Sequence, residues 1–139
     1  MSGVVLGIES TAHTLSFGMV DMEGTTYPSY SNLFRPESGG IHPREAADHH
    51  CSMASELLER ITNSEIFINN DVEAVAFSQG PGLGPCLRIG ASIARTLSKA
   101  WDVPLIGVNH CIAHIEIGKN QTGCKDPVLL YVSGGNTQV

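Results

Sequence analysis

The sequence predicts an α/β fold built on a mixed sheet, and three observations carry that prediction. Three strand-like segments follow one another at the N-terminus. Helical and strand-like segments then alternate along the rest of the chain, and the opening design recurs near its end. With 139 residues, 42% apolar and 16% charged, and a mean hydropathy of +0.03, the chain can bury a core of its own as one domain.

The elements follow in order. "VVLGIES" (residues 4–10) is an apolar run and "TLSFGMV" (residues 14–20) alternates with period two, while "DMEG" (residues 21–24) turns into a weaker third strand over residues 25–31. "RPESGGIHP" is loop by its Pro, Gly and Ser content, and Pro43 suits the first turn of a helix over residues 43–62. That helix gathers Ala46, His50, Met53, Ala54, Leu57, Leu58 and Ile61 on one face. "VEAVAFSQ" (residues 72–79) is a buried-strand candidate, "GPGLGP" a tight loop, and residues 87–101 a second helix with small residues that permit close packing. A strand over residues 103–108, a short helix from His110 to about Ile117 and a last strand over residues 127–133 complete the chain.

The order βββαβαβα is that of a ribonuclease-H-like lobe, a mixed sheet with helices on its faces. The surplus strand is informative, because "VVLGIESTAHTL" and "VLLYVSGGNTQV" share one design: apolar strand, small-residue turn, start of another strand. Residues 1–126 therefore read as one complete lobe, and residues 127–139 as the first strand and turn of a truncated second lobe.

Composition narrows the function. A net charge of −6 with eight scattered Lys and Arg argues against a stand-alone nucleic-acid binder. No apolar run approaches a membrane span and no export leader is legible, so a cytoplasmic location is expected. The four cysteines form no CxxC pair, which favours free thiols.

Several motifs can carry chemistry. In "NHCIAH", His110 and His114 stand four apart, the spacing at which two imidazoles on one helix face can share a metal ion; two hydrogen-bonded helix histidines have the same spacing. A zinc protease of the HExxH type would carry Glu where Cys111 stands. Two histidines leave a metal under-coordinated, and Tyr131 is a candidate third ligand, a carboxylate from a missing lobe another. "ESTAHT" and "SGGNT" are small-residue turns that can aim backbone N–H groups at an anion or serve as plain hairpin turns. "GPGLGPCLRIG" lacks both the P-loop Lys and GxGxxG spacing, so Gly80, Gly82 and Gly84 read as a structural turn. "HPREAADHH" is either a solvated first helical turn or the entrance to a substrate site.

Taken together, "GIESTAHT", "SGGIHPREAADHH", "FSQGPGLGPCLRIG", "GVNHCIAHIEIG" and "YVSGGNTQV" resemble the tRNA threonylcarbamoyl-transferase family, formerly termed O-sialoglycoprotein endopeptidase or glycoprotease. The wording of the first and last motifs looks closer to the archaeal and eukaryotic branch, whose member is the catalytic subunit of the KEOPS complex. The resemblance implies an actin-like ATPase fold of two ribonuclease-H-like lobes. It also implies transfer of a threonylcarbamoyl group from threonylcarbamoyl-adenylate to N6 of the adenosine beside the anticodon. By motif position it makes His110, His114 and Tyr131 ligands of one divalent metal, iron or zinc. Tyr131, Val132, Ser133, Gly134, Gly135 and Asn136 would line the ATP or adenylate. The helices at residues 43–62 and 87–101 resemble the surface that docks a small dimerising subunit. Other members of the complex, a kinase subunit among them, would help to bring the tRNA, and self-association is left open. Family members run to more than twice this length, so this chain would correspond to their N-terminal part and is expected to be inactive alone. The competing readings are a non-catalytic dimerisation paralogue of the same fold, which would have no need of the histidine pair, and a metal-dependent glycoprotease, which lacks its Glu.

Overall fold

The computed structural model describes residues 3–133 and 137–139. Strands β1 (Gly3–Glu9), β2 (Thr14–Asp21) and β3 (Tyr30–Leu33) come first, followed by α1 (Pro43–Thr62), α2 (Glu65–Asn69), β4 (Asp71–Gly80), α3 (Gly84–Trp101), β5 (Leu105–Asn109) and α4 (His110–Thr122). They form a five-stranded sheet in the order β3-β2-β1-β4-β5. The β1–β2 and β2–β3 pairs are antiparallel, and β4 and β5 run parallel to β1 and to each other. This is the mixed-sheet lobe that the element order predicts.

Period-two alternation decides which face is the core. In β1 and β2 every second residue is buried, so Val4, Leu6, Ile8, Leu15, Phe17 and Met19 project to one side, where Leu57 and Ile61 of α1 and Ala94 and Leu97 of α3 meet them. Helix α1 buries Ala46, His50, Leu57 and Ile61 and leaves Met53, Ala54 and Leu58 half-covered, which is the stripe expected from the sequence. Among the described residues four polar side chains are buried, Ser10, Thr11, His50 and Ser78, and Ser10 and His50 are the most completely enclosed.

Four boundaries differ from expectation. The third strand begins at Tyr30 rather than residue 25, because Pro28 has no N–H for the ladder; only an isolated Val20–Thr26 bridge precedes it. Helix α2 has no legible apolar period, and it starts where the Ser64 hydroxyl accepts from the Phe67 N–H at 3.3 Å. Helix α3 begins at Gly84, because Pro85 in its first turn is compatible with a helix start. Helix α4 runs to Thr122 and ends on Gly123 at φ 72°, a left-handed cap that glycine adopts freely.

The expected last strand is short. Only β6 (Tyr131–Val132) pairs, antiparallel with β7 (Thr137–Gln138), in a separate two-stranded sheet. Val128 and Leu130 are exposed, so no apolar partner holds the preceding residues extended. Like β1 and β2, β6 and β7 pair antiparallel.

Candidate functional site

The parallel strands β1, β4 and β5 end on the same edge of the sheet, and the polar residues converge there. Glu9 closes β1, Ser78 lies near the end of β4, and His110 opens α4 directly after β5. The helix starts sharply because the Asn109 side chain accepts from the N–H groups of Cys111 at 2.9 Å and Ile112 at 3.2 Å. One turn on, His114 stands over His110.

Glu9 is the hub. Its Oε1 accepts from the Thr11 N–H at 2.6 Å and from the Thr11 hydroxyl, while Oε2 accepts from the Ser78 hydroxyl and faces His110 Nδ1 at 3.2 Å. Burial pushes the Glu9 carboxyl toward protonation, but hydrogen bonds from Ser78 and Thr11 and the His110 imidazole outweigh it, and its pKa is lowered. An ionised carboxylate only accepts, so His110 carries its proton on Nδ1 and turns a bare Nε2 lone pair away from Glu9.

That lone pair meets His114. The two Nε2 atoms are 3.1 Å apart and the rings are nearly perpendicular, with centroids 4.5 Å apart. Such a pair is joined either by one proton or by a cation. Bonds of about 2.0–2.1 Å to a tetrahedral metal place neighbouring ligand nitrogens about 3.3 Å apart, and hydrogen bonds reach about 3.2 Å, so the observed separation fits either link. Tyr131 completes a triangle of rings, its centroid 5.9 Å from that of His110 and 5.8 Å from that of His114. Among the described residues no three His, Cys, Asp or Glu side chains form a metal-binding group. A metal held by this pair would need a ligand of another kind, or one from beyond these residues.

The three rings line a cleft of about 660 Å³ together with Thr11, Ile41 and Ser133. Val132, by contrast, is exposed away from it, and Gly134, Gly135 and Asn136 lie outside the described residues. Within "ESTAHT" the Thr11 N–H is spent on Glu9, so it is not aimed at an anion as the turn alone suggests. The glycine-rich loop is structural at Gly82: a Cβ there would sit 2.5 Å from the Thr11 carbonyl oxygen, which accepts from the Leu83 N–H at 2.7 Å. "HPREAADHH" follows the solvated-turn reading at Arg44, Glu45 and Asp48, which are exposed, while His50 is buried in the core and no residue of the motif lines the cleft.

Residues 28–139 match the family model described as "TsaD: tRNA N6-adenosine threonylcarbamoyltransferase". The chain belongs to this family. It is similar to the tRNA N6-adenosine threonylcarbamoyltransferase of Methanocella arvoryzae, 55% identical over 135 residues that cover 97% of this chain and 40% of that protein. It is 50% identical over 136 residues to a probable bifunctional tRNA threonylcarbamoyladenosine biosynthesis protein of Thermoplasma volcanium, covering 98% of this chain and 26% of that one. The chain thus spans about two fifths of the length of the transferases it matches and a quarter of the bifunctional protein. Among solved structures, an uncharacterized Pseudomonas aeruginosa protein with similarity to peptidase YEAZ superposes with a TM-score of 0.63 at 16% identity, over 99% of this chain and 63% of that one. At that identity the likeness shows the fold alone.

For this member of the transferase family, sequence reasoning singled out both histidines and Tyr131 but missed Glu9 and Ser78 as their support. Glu9 stood in a motif read as an anion turn or a plain hairpin turn. The available signal was a carboxylate ending an apolar strand whose parallel neighbours end at Ser78 and just before His110.

Proposed function

We propose that this chain is the N-terminal lobe of a tRNA N6-adenosine threonylcarbamoyltransferase, with His110, His114 and Tyr131 as its ligands for one divalent iron or zinc ion. The observation that carries this reading is the pair of imidazole Nε2 atoms 3.1 Å apart in the cleft, one of them held by an ionised carboxylate. In the reaction, N6 of adenosine bonds to the carbamoyl carbon of threonylcarbamoyl-adenylate, the bond from that carbon to the phosphate oxygen breaks, and AMP leaves. When bound, the metal would supply Lewis-acid polarisation and orient the mixed anhydride.

The chain's own residues orient and exclude. Glu9 keeps the His110 ring turned toward His114, Tyr131 and Ser133 present polar groups at the cleft wall, and Ile41 and Leu83 limit water. Residues 131–136 are proposed to line the adenylate or ATP. No residue acts as nucleophile, and a second lobe would complete the site, so the 139-residue chain is expected to be inactive alone.

We propose that tRNA contacts are made by partners, a reading that the acidic net charge supports. A KEOPS-type small dimerising subunit is proposed for the α1–α3 surface, where Ala54, Leu58, Ser92 and Ile93 line a shallow groove of about 280 Å³, and a kinase subunit would join the same assembly. No helix is long and apolar enough to cross a membrane, and the proposed setting is the cytoplasm. The proteolytic reading is not favoured, because Cys111 stands at the HExxH glutamate position and the nearby Glu9 carboxylate is fully engaged.

Elemental analysis of the purified chain beside His110→Ala and His114→Ala tests the metal assignment. Near-stoichiometric iron or zinc that disappears in both variants is expected. If the parent is metal-free, and remains so when produced with a family C-terminal lobe, the assignment is wrong.

A further inference from the structure

The connection between β1 and β2, residues 10–13, is held at three consecutive carbonyls by three different parts of the fold. The Thr11 carbonyl accepts from the Leu83 N–H, the Ala12 carbonyl from His50 Nε2 and the His13 carbonyl from the Phe34 N–H, each at 2.7 Å. Two of these donors are backbone groups in loops. The third is a side chain brought from the middle of α1, with no exposed surface, in a core otherwise built of Leu57, Ile61 and the sheet's aliphatic face.

A fully buried imidazole is costly to keep without partners, and apolar residues fill such a position without that cost. His50 has two partners. A carbonyl only accepts, so its Nε2 carries the proton, and its Nδ1 faces His49 Nδ1 at 3.2 Å. The link from there to the cleft is short. Ala12 adjoins Thr11, whose N–H and hydroxyl both bind Glu9 Oε1, and Glu9 Oε2 faces His110 Nδ1.

We propose that His50 is a positioning residue for the His110–His114 pair: by holding the Ala12 carbonyl it fixes residues 10–13, so that Thr11 aims Glu9 and Glu9 keeps His110 in the tautomer whose Nε2 is free. The tautomer part stands on geometry alone; its consequence for metal affinity rests on the metal-site reading above.

The test compares the chain with His50→Leu, which fills the space without a donor, and His50→Gln, whose amide N–H can still reach the carbonyl. Long-range ¹H–¹⁵N NMR reads the His110 tautomer, and calorimetric titration with zinc reads the pair's affinity. The parent and His50→Gln are expected to show a single Nδ1–H form. His50→Leu should show mixed tautomers and a zinc affinity lower by about tenfold, the size of effect seen when a ligand histidine loses its carboxylate support. Should the parent bind no zinc, the metal reading passes to the test with a C-terminal lobe described above, while the tautomer comparison still decides this proposal. A folded His50→Leu with the parent's single tautomer overturns it, as does a folded His50→Gln that behaves like His50→Leu. If His50→Leu loses its amide dispersion, His50→Asn, too short to reach Ala12, makes the same comparison.

Discussion

Gly90→Ala should destabilise this protein even though the change is normally favourable inside a helix. Gly90 is buried in α3, and alanine there would gain about 1 kcal/mol from helix propensity alone. The structure reverses the sign: a Cβ on residue 90 would lie 2.1 Å from Ser10 Oγ and 3.0 Å from Ser10 Cβ. Ser10 cannot swing into solvent, because it is 1% exposed and sits on the turn clamped by Leu83, His50 and Phe34. Overpacking of a tight core costs about 1–3 kcal/mol, and the propensity gain offsets about 1 kcal/mol of it, so we expect a net loss of about 1 kcal/mol. For a chain of this size that lowers Tm by about 3 °C. Urea and thermal unfolding of Gly90→Ala, Ser10→Gly and the double variant form a cycle, and alanine at 90 should become neutral or stabilising once the Ser10 side chain is gone. If Gly90→Ala stabilises the parent, or if its cost persists at full size in the Ser10→Gly background, the close approach is not what selects glycine.

Three further outcomes follow from the same geometry. Glu9→Gln should fold yet bind zinc about tenfold more weakly than the parent by calorimetric titration, because the amide no longer enforces the Nδ1–H form of His110; unchanged affinity in a folded variant counts against the role given to Glu9. Asn109→Ala removes the acceptor of two helix-start N–H groups and should cost about 1 kcal/mol, read as faster amide exchange confined to the first turn of α4, since this helix buries no residue that would hold it otherwise. Stability should also fall on mild acidification. The His50 pKa is lowered, chiefly by burial, with the Ala12 hydrogen bond acting in the opposite direction, and burial lowers that of its neighbour His49. Below an unfolded value of 6.5 the unfolded chain takes up protons that the folded chain resists, so stability is full above that pH and declines beneath it. The slope is up to about 1.4 kcal/mol per pH unit for each proton. Urea unfolding at about pH 7.5 and about pH 5.5 should show the drop, and His50→Gln should reduce it; equal drops in both proteins would assign the effect elsewhere.

What could be read from the sequence and what could not divides along chain separation. Helix α1 was legible to its last residue because Pro43 marks its start and its apolar stripe recurs every turn, both within the segment itself. Helix α2 was not, since five residues are too few to show a period and only the Ser64 cap announces it. The third strand was misplaced because the "DMEG" turn suggested a strand straight after it, over residues 25–31, whereas the position of Pro28 decides which residues can enter the ladder.

The site obeys the same division, and there it bears on function. The i, i+4 spacing of His110 and His114 states, in five consecutive residues, that two imidazoles share a helix face, but it says nothing of which nitrogens meet. That choice is made by Glu9, 101 residues earlier, through the parallel pairing of β1 with β4 and of β4 with β5. His50 reaches the same point from 38 residues beyond Ala12. Spacing alone could not separate a ligand pair from two hydrogen-bonded helix histidines, because both have the same spacing. What the fold adds is an ionised carboxylate on Nδ1, which leaves His110 Nε2 as the lone-pair atom facing His114 and the cleft, whether it takes a proton from His114 or holds a cation. A histidine kept only for packing has no need of that orientation, and here three hydrogen-bonding groups from two other segments of the chain are spent on holding Glu9 in place to enforce it.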